Sequence, residues 1–206
     1  LYSTPAGKNT IVIVLADHGD GMGSHRMVTK QVSFYEEMTN VPFIIAGPGI
    51  HPRQKPVEDL LTQPTIDLLP TLCELAGIPV PSSKPGISLA PFLKGEKQKR
   101  QHPYAASEWH SEYEVTVSPG RMIRSPRYKY THYLEGNGEE LYDMLKDKGE
   151  RRNLAHDPKY SKILAEHRAL LDDYIHRTQD DYRSLKVEAD KRWRSHVPGY
   201  PNHEGP

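Results

Sequence analysis

The sequence predicts an α/β chain: the C-terminal part of a mixed, mostly parallel sheet, then a small antiparallel sheet carrying a packed C-terminal helix. Three observations predict it. Thr10 to Ala16 and Val41 to Ala46 are β-branched and apolar runs without alternation, as a strand buried on both faces requires. Arg121 to Arg124 and Lys129 to Leu134 flank a Ser-Pro turn and read as a hairpin. Ile163, Leu164, His167, Leu170, Leu171, Tyr174 and Ile175 fall on one helical stripe.

The first strand ends at Asp17-His18-Gly19-Asp20-Gly21-Met22-Gly23, where three glycines forbid its continuation and favour a tight loop. The second closes at Gly47-Pro48-Gly49. Between the two strands, Val32 to Thr39 leaves room for a short helix only. Thr62 to Gly77 has a proline near its start and a glycine past its end, the punctuation of a helix. Pro70 inside it predicts a kink or a restart, and Cys73 is expected there as a small, buried apolar residue. Pro79 to Gly95 reads as a long loop and Lys94 to His102 as a solvated polar stretch.

A second composition begins near residue 101. Tyr104 to Glu108 and Glu140 to Asp143 add short strands to the hairpin, giving a sheet of mixed polarity expected to have one wet face. Asp157-Pro158 caps the final helix, which runs to about Thr178. The organisation expected is residues 1–100 as part of an α/β domain, 101–183 as a sheet-and-helix subdomain, and 184–206 as an extended tail.

The totals exclude some classes. Lys plus Arg and Asp plus Glu balance at 27 each, so no net field favours nucleic acid or an acidic membrane surface. The mean hydropathy is −0.71, and no segment reaches the ~20 apolar residues of a membrane helix. One cysteine rules out an internal disulfide framework. The start at Leu1, without Met or a basic-then-apolar leader, is expected of a processed chain or a fragment and leaves secretion open.

Chemistry concentrates at the end of the first strand. In open α/β sheets, ligands bind beyond the carboxyl ends of strands. Asp17 offers a hard oxygen and His18 a nitrogen, in a loop bare enough for close approach. The same loop carries His25 and Lys30. A cation, an imidazole and an ammonium gathered there would suit a tetrahedral oxyanion, sulfate or phosphate. The plainer alternative is an Asx-turn aspartate and a surface histidine. Glu108, Trp109, His110, Glu112 and Tyr113 are candidates for a sugar site or a surface loop. Arg121, Arg124, Arg127 and Lys129 are either an anion-facing cluster or a solvated strand face. His196 and His203 are too scattered for a metal motif.

Taken in order, these segments carry a resemblance. Ile11 to Asp20, Gly23 to His25, Lys30, Tyr35 to Glu37 and Asn40 to Ile50 resemble the formylglycine-dependent sulfatases of the alkaline-phosphatase superfamily. So do Thr65 to Leu72, Leu75 to Pro79, Gly86 to Leu89, Arg121 to Arg124, Tyr128 to Tyr130, Glu140 to Asp143, Glu150, Asn153 to Ala155 and Asp157-Pro158. The likeness runs from about residue 9 to 175. It implies that Asp17 and His18 complete a Ca²⁺ site, Mg²⁺ being the alternative, with His18 also serving the sulfate. It further implies that Lys30 contacts the sulfate and steadies the departing oxygen, and that His25 lies near the substrate.

The family takes its nucleophile from a Cys-x-Pro-x-Arg type segment, converted to formylglycine. Cys73, followed by Glu74-Leu75-Ala76-Gly77, does not match it. The implied activity is therefore hydrolysis of a sulfate ester, with a sulfated carbohydrate or glycosaminoglycan as substrate. The N-terminal half of the same protein is expected to supply the nucleophile and the remaining metal ligands, so this chain alone is expected to be incomplete and inactive. Family habit implies a periplasmic or secreted location in bacteria and a lysosomal or secreted one in animals. A phosphodiester or phosphonate hydrolase of the same superfamily and a non-catalytic binder of sulfated glycans are the competing readings.

Overall fold

The computed structural model describes residues 3–27, 33–58, 60–82, 85–97, 101–110, 119–134 and 138–185. Strand β1 (Val12–Leu15) pairs with β2 (Phe43–Ala46), Val12 opposite Ala46 and Leu15 opposite Phe43. Between them lies α1 (Glu36–Thr39). Helices α2 (Pro64–Leu75) and α3 (Ala90–Leu93) follow. A four-stranded antiparallel meander then runs through β3 (Ala105–Trp109), β4 (Gly120–Arg124), β5 (Tyr128–Tyr133) and β6 (Gly138–Asp143). The last long element is α4 (Ser161–Thr178).

The α/β class, the small antiparallel sheet and the packed C-terminal helix are all present. Parallel pairing is not found among the described residues, because β1 and β2 run antiparallel. A parallel return needs a crossover that covers a sheet face. α1, only four residues long, sits against the loop at the end of β1 instead. Nor are these strands buried on both faces: Val14 is 51% exposed and Ile44 57%. No described helix is long and apolar enough to cross a membrane.

α2 runs unbroken through Pro70. Proline has no N–H for the Ile66 carbonyl one turn back, and Gly86 packs its bare Cα against that oxygen. A Cβ at residue 86 would lie 2.1 Å from it. The buried Asp67 carboxylate accepts from Gln63 N at 2.7 Å, Ile87 N at 2.8 Å and His102 Nε2 at 2.7 Å. These bonds tie the start of α2 to the irregular segment leading into α3 and to His102 beyond it; among the described residues only the four of α3 interrupt the loop expected from Pro79 to Gly95. Cys73 lies on α2 and is half-buried.

The meander is covered on both faces. On one, Ile123, Tyr130 and Leu141 stand opposite one another and join Tyr104, Leu154, Leu164 and Leu171 in a core closed by α4. On the other, Met122, Thr131, Lys129 and Tyr142 are also buried, although the mixed polarity of this face had predicted contact with water. Residues 34–36 lie against it: Phe34 meets Tyr133 at a ring separation of 5.8 Å, and Lys129 Nζ donates to the Phe34 carbonyl at 2.8 Å. The segment after β1 is thereby fastened to the C-terminal sheet.

Candidate active site

β1 delivers Asp17 and His18 just past its last residue. The Asp17 carboxylate turns back on its own chain, Oδ1 accepting from His18 N at 3.0 Å. His18 Nδ1 lies 2.7 Å from the Gly19 carbonyl. A carbonyl can only accept, so Nδ1 carries the proton in this contact and the lone pair of the neutral ring is on Nε2. That nitrogen stands 3.8 Å from Asp17 Oδ2. One carboxylate oxygen and one imidazole nitrogen are thus presented side by side, each oriented by a hydrogen bond at its other atom. A metal-ligating histidine is usually held by its other ring N–H on a carboxylate, a backbone carbonyl or a water. Among the described residues no three His, Cys, Asp or Glu side chains gather as a metal cluster, so Asp17 and His18 form at most part of a coordination shell.

The loop sits on α1. Gly19 N donates to the Met38 carbonyl at 2.9 Å, and a Cβ at residue 19 would lie 1.8 Å from the Glu37 carbonyl oxygen. Only glycine permits that approach. Further along, Met22, His25 and Arg26 have φ of 43°, 48° and 62°. Non-glycine residues in the left-handed region persist where the surroundings over-determine them, and they concentrate at functional sites.

At His25 those surroundings are α1 and the residue before it. The His25 ring stacks on Tyr35 with centroids 3.7 Å apart and planes within 2°. His25 Nε2 lies 4.0 Å from Glu37 Oε2, and Ser24 Oγ donates to Glu37 Oε1 at 2.5 Å. The Ser24 hydrogen bond is the leading reason the Glu37 carboxyl titrates below its usual range, with His25 and Lys129 adding smaller contributions.

Asp17, His18 and His25 therefore belong to one loop system braced by α1. Lys30 lies outside the described residues, as do Glu112, Tyr113, His196 and His203. Glu108, Trp109 and the basic cluster have structural partners. Glu108 accepts from Tyr174 OH at 2.6 Å, and the Trp109 carbonyl accepts from Arg121 at 2.8 Å. The basic residues of β4, β5 and their turn do not converge on an anion site. Arg121 is buried and forks onto Asp180 at 2.6 and 2.8 Å. Arg127 pairs with Asp143 at 2.7 Å, and Arg124 donates to the Ser125 carbonyl. Sequence reasoning missed Ser24, Tyr35 and Glu37 as a brace for His25. The signal available was Tyr35-Glu36-Glu37 following so soon after the glycine loop.

An α/β strand pair followed by a small antiparallel sheet and a packed C-terminal helix is the architecture of the C-terminal portion of a sulfatase. The match is direct: residues 23–177 fit the family described as N-sulphoglucosamine sulphohydrolase, C-terminal, and the chain belongs to that family. It is 78% identical over 206 residues to a Delta 4,5-hexuronate-2-O-sulfatase of Bacteroides thetaiotaomicron, covering 100% of this chain and 43% of that protein. The solved structure of a 2-O GAG sulfatase superposes with a TM-score of 0.91 at 78% identity, over 100% of this chain and 44% of that one. A protein solved in complex with its substrate D-glucosamine-2-N,6-O-disulfate superposes with a TM-score of 0.74 at 26% identity, over 87% of this chain and 37% of that one. The chain thus spans less than half the length of these relatives.

Proposed function

We propose that this chain supplies part of the active site of a sulfatase that hydrolyses a sulfate ester on a carbohydrate, a glycosaminoglycan unit being the favoured substrate. The observation that carries the reading is the Nδ1 hydrogen bond of His18 to the Gly19 carbonyl, which leaves Nε2 beside Asp17 Oδ2 at the strand end. Asp17 and His18 would hold a divalent cation, calcium by preference because the carboxylate is a hard ligand, together with ligands from outside this chain. When bound, that cation supplies positive charge against the sulfate oxygens.

The chain's own residues do the rest of their work by orientation. Asp17 and His18 are each turned by one local hydrogen bond, which leaves Oδ2 and Nε2 within 3.8 Å of each other. His25, held flat on Tyr35, offers an imidazole to a substrate oxygen. Lys30, by its resemblance to the sulfatase lysine, adds a point charge for the sulfate and the departing oxygen. The nucleophile, a formylglycine by the same resemblance, comes from the N-terminal half of the protein. That half would also cover the exposed Val14, Leu15 and Ile44 of the strand pair, apolar surface of a kind usually found at contacts.

The test is turnover by the intact protein. A 2-O-sulfated unsaturated hexuronate disaccharide and an aryl sulfate should be hydrolysed, and an aryl phosphodiester much more slowly. Hydrolysis of the phosphodiester alone would overturn the sulfatase reading in favour of a phosphodiester or phosphonate hydrolase. Binding of sulfated glycan without any turnover would make the protein a binder.

A further inference from the structure

We propose that Lys129 and Glu150 are positioning residues that set the geometry of the 17–25 loop from the far side of α1. Lys129, on β5, is 1% exposed, and so is Glu150. The ammonium of Lys129 reaches the Phe34 carbonyl at 2.8 Å, Glu36 Oε1 at 2.8 Å and Glu150 Oε1 at 2.9 Å. The other Glu150 oxygen accepts from Glu36 N at 2.6 Å. Two side chains from the C-terminal sheet region therefore grip the turn entering α1 by a carbonyl, an amide and a carboxylate.

What that turn carries makes the grip consequential. Tyr35, between the gripped residues, is the platform under His25, and Glu37, one residue on, holds Ser24 and faces His25. Met38, in the same helical turn, accepts from Gly19 in the loop of Asp17 and His18. A helix of four residues has little stiffness of its own, so its place depends on what holds its ends. Burying a lysine between two glutamates is a poor way to gain stability, since apolar residues of similar volume serve as well or better. What such a cluster adds is direction: the hydrogen bonds of Lys129 to the Phe34 carbonyl and of Glu36 N to Glu150 have required geometries, and the charge contacts of Lys129 with Glu36 and Glu150 hold the three side chains together. Glu150 itself adopts φ 50°, a conformation that aims its carboxylate at the cost of backbone strain.

The inference rests on the proposed sulfatase site only for its catalytic consequence, and the test separates the two. Amide hydrogen exchange of the intact protein is compared for wild type, Lys129→Met, Glu150→Leu and Glu150→Gln. Lys129→Met and Glu150→Leu should raise exchange in peptides covering 17–27 and 34–40 at least ~10-fold while peptides covering 138–144 stay protected. Glu150→Gln keeps an acceptor for Glu36 N but turns its NH2 toward the Lys129 ammonium, so its exchange should fall between wild type and Glu150→Leu. The same two disruptive variants should lower kcat for the sulfate ester with KM little changed. Unchanged exchange in 17–27, or an equal rise in 138–144, overturns the proposal. Raised loop exchange with unaltered sulfate turnover supports the grip and removes the loop from the catalytic reading.

Discussion

The strand pair and the four-stranded meander treat apolar surface in opposite ways. In the meander and its helix, Ile123, Leu141 and Leu171 are fully enclosed, and the buried Arg121 and Lys129 have carboxylate partners. In the strand pair and α2, Val14, Leu15, Ile44, Leu69 and Leu72 face outward. A two-stranded sheet is marginal alone. This one depends on contacts beyond its own ladder, at its loop end on α1 and through α1 on the meander. The candidate site lies on the less self-sufficient region and borrows its precision from the denser one.

The sharpest way to break this comparison is to unpair a charge in the dense region. Asp180→Ala leaves the Arg121 guanidinium buried without its bidentate partner, and truncating one side of a buried pair costs about 3–5 kcal/mol. Urea unfolding should show that loss; a change below ~1 kcal/mol would mean that the meander tolerates unpaired charge and is not the rigid half.

A smaller effect should follow pH at Glu140, on the face of the meander that meets residues 34–36. Burial first, and then the charge of Glu150, push its carboxyl from 4.5 up to about 7. A carboxyl whose folded value is raised binds its proton more tightly when folded, so stability falls as pH rises from 4.5 and the full loss is reached above about 7. Glu140→Gln should abolish that fall and be more stable than wild type at pH 8 by on the order of 2–3 kcal/mol, with little difference at pH 4. Thermal melts at the two pH values measure it, and parallel pH profiles for the two proteins would sink the prediction.

The smallest effect belongs to the open region. Val14→Ser in the 206-residue chain should change stability by no more than about 0.5 kcal/mol, since Val14 is already half exposed. If, as proposed, an N-terminal half of the protein buries that position, the same change in the longer protein should cost about 1–2 kcal/mol. Equal, small costs in both would remove the argument that this face is covered.

Much of the architecture was legible because it is written in local pattern. The stripe of α4 survives as Leu164, His167 and Leu171 buried against the sheet. The hairpin of β4 and β5 follows its turn residues, and Asp17-His18 stands where the strand run ends. The errors share a cause. Lys129 and Arg121 looked like solvated strand residues because their partners, Glu36, Glu150 and Asp180, lie from 21 to 93 residues away in sequence. Pro70 looked like a break because the glycine that accommodates the Ile66 carbonyl comes 16 residues later. The brace of His25 by Tyr35 and Glu37 needs the chain to reverse between them, which no periodicity encodes.

By itself the sequence determined most of the elements, their order, the family and the strand end where carboxylate and imidazole meet; the short α3 was not among them. Those depend on periodicity, glycine placement and ordered residue matches, all short-range properties of the chain. Only the tertiary structure decided that β1 and β2 run antiparallel, that the polar face of the meander is closed, and that a lysine and a glutamate from that face hold the turn under the site. Those depend on which distant groups satisfy one another's hydrogen bonds and charges once water is excluded.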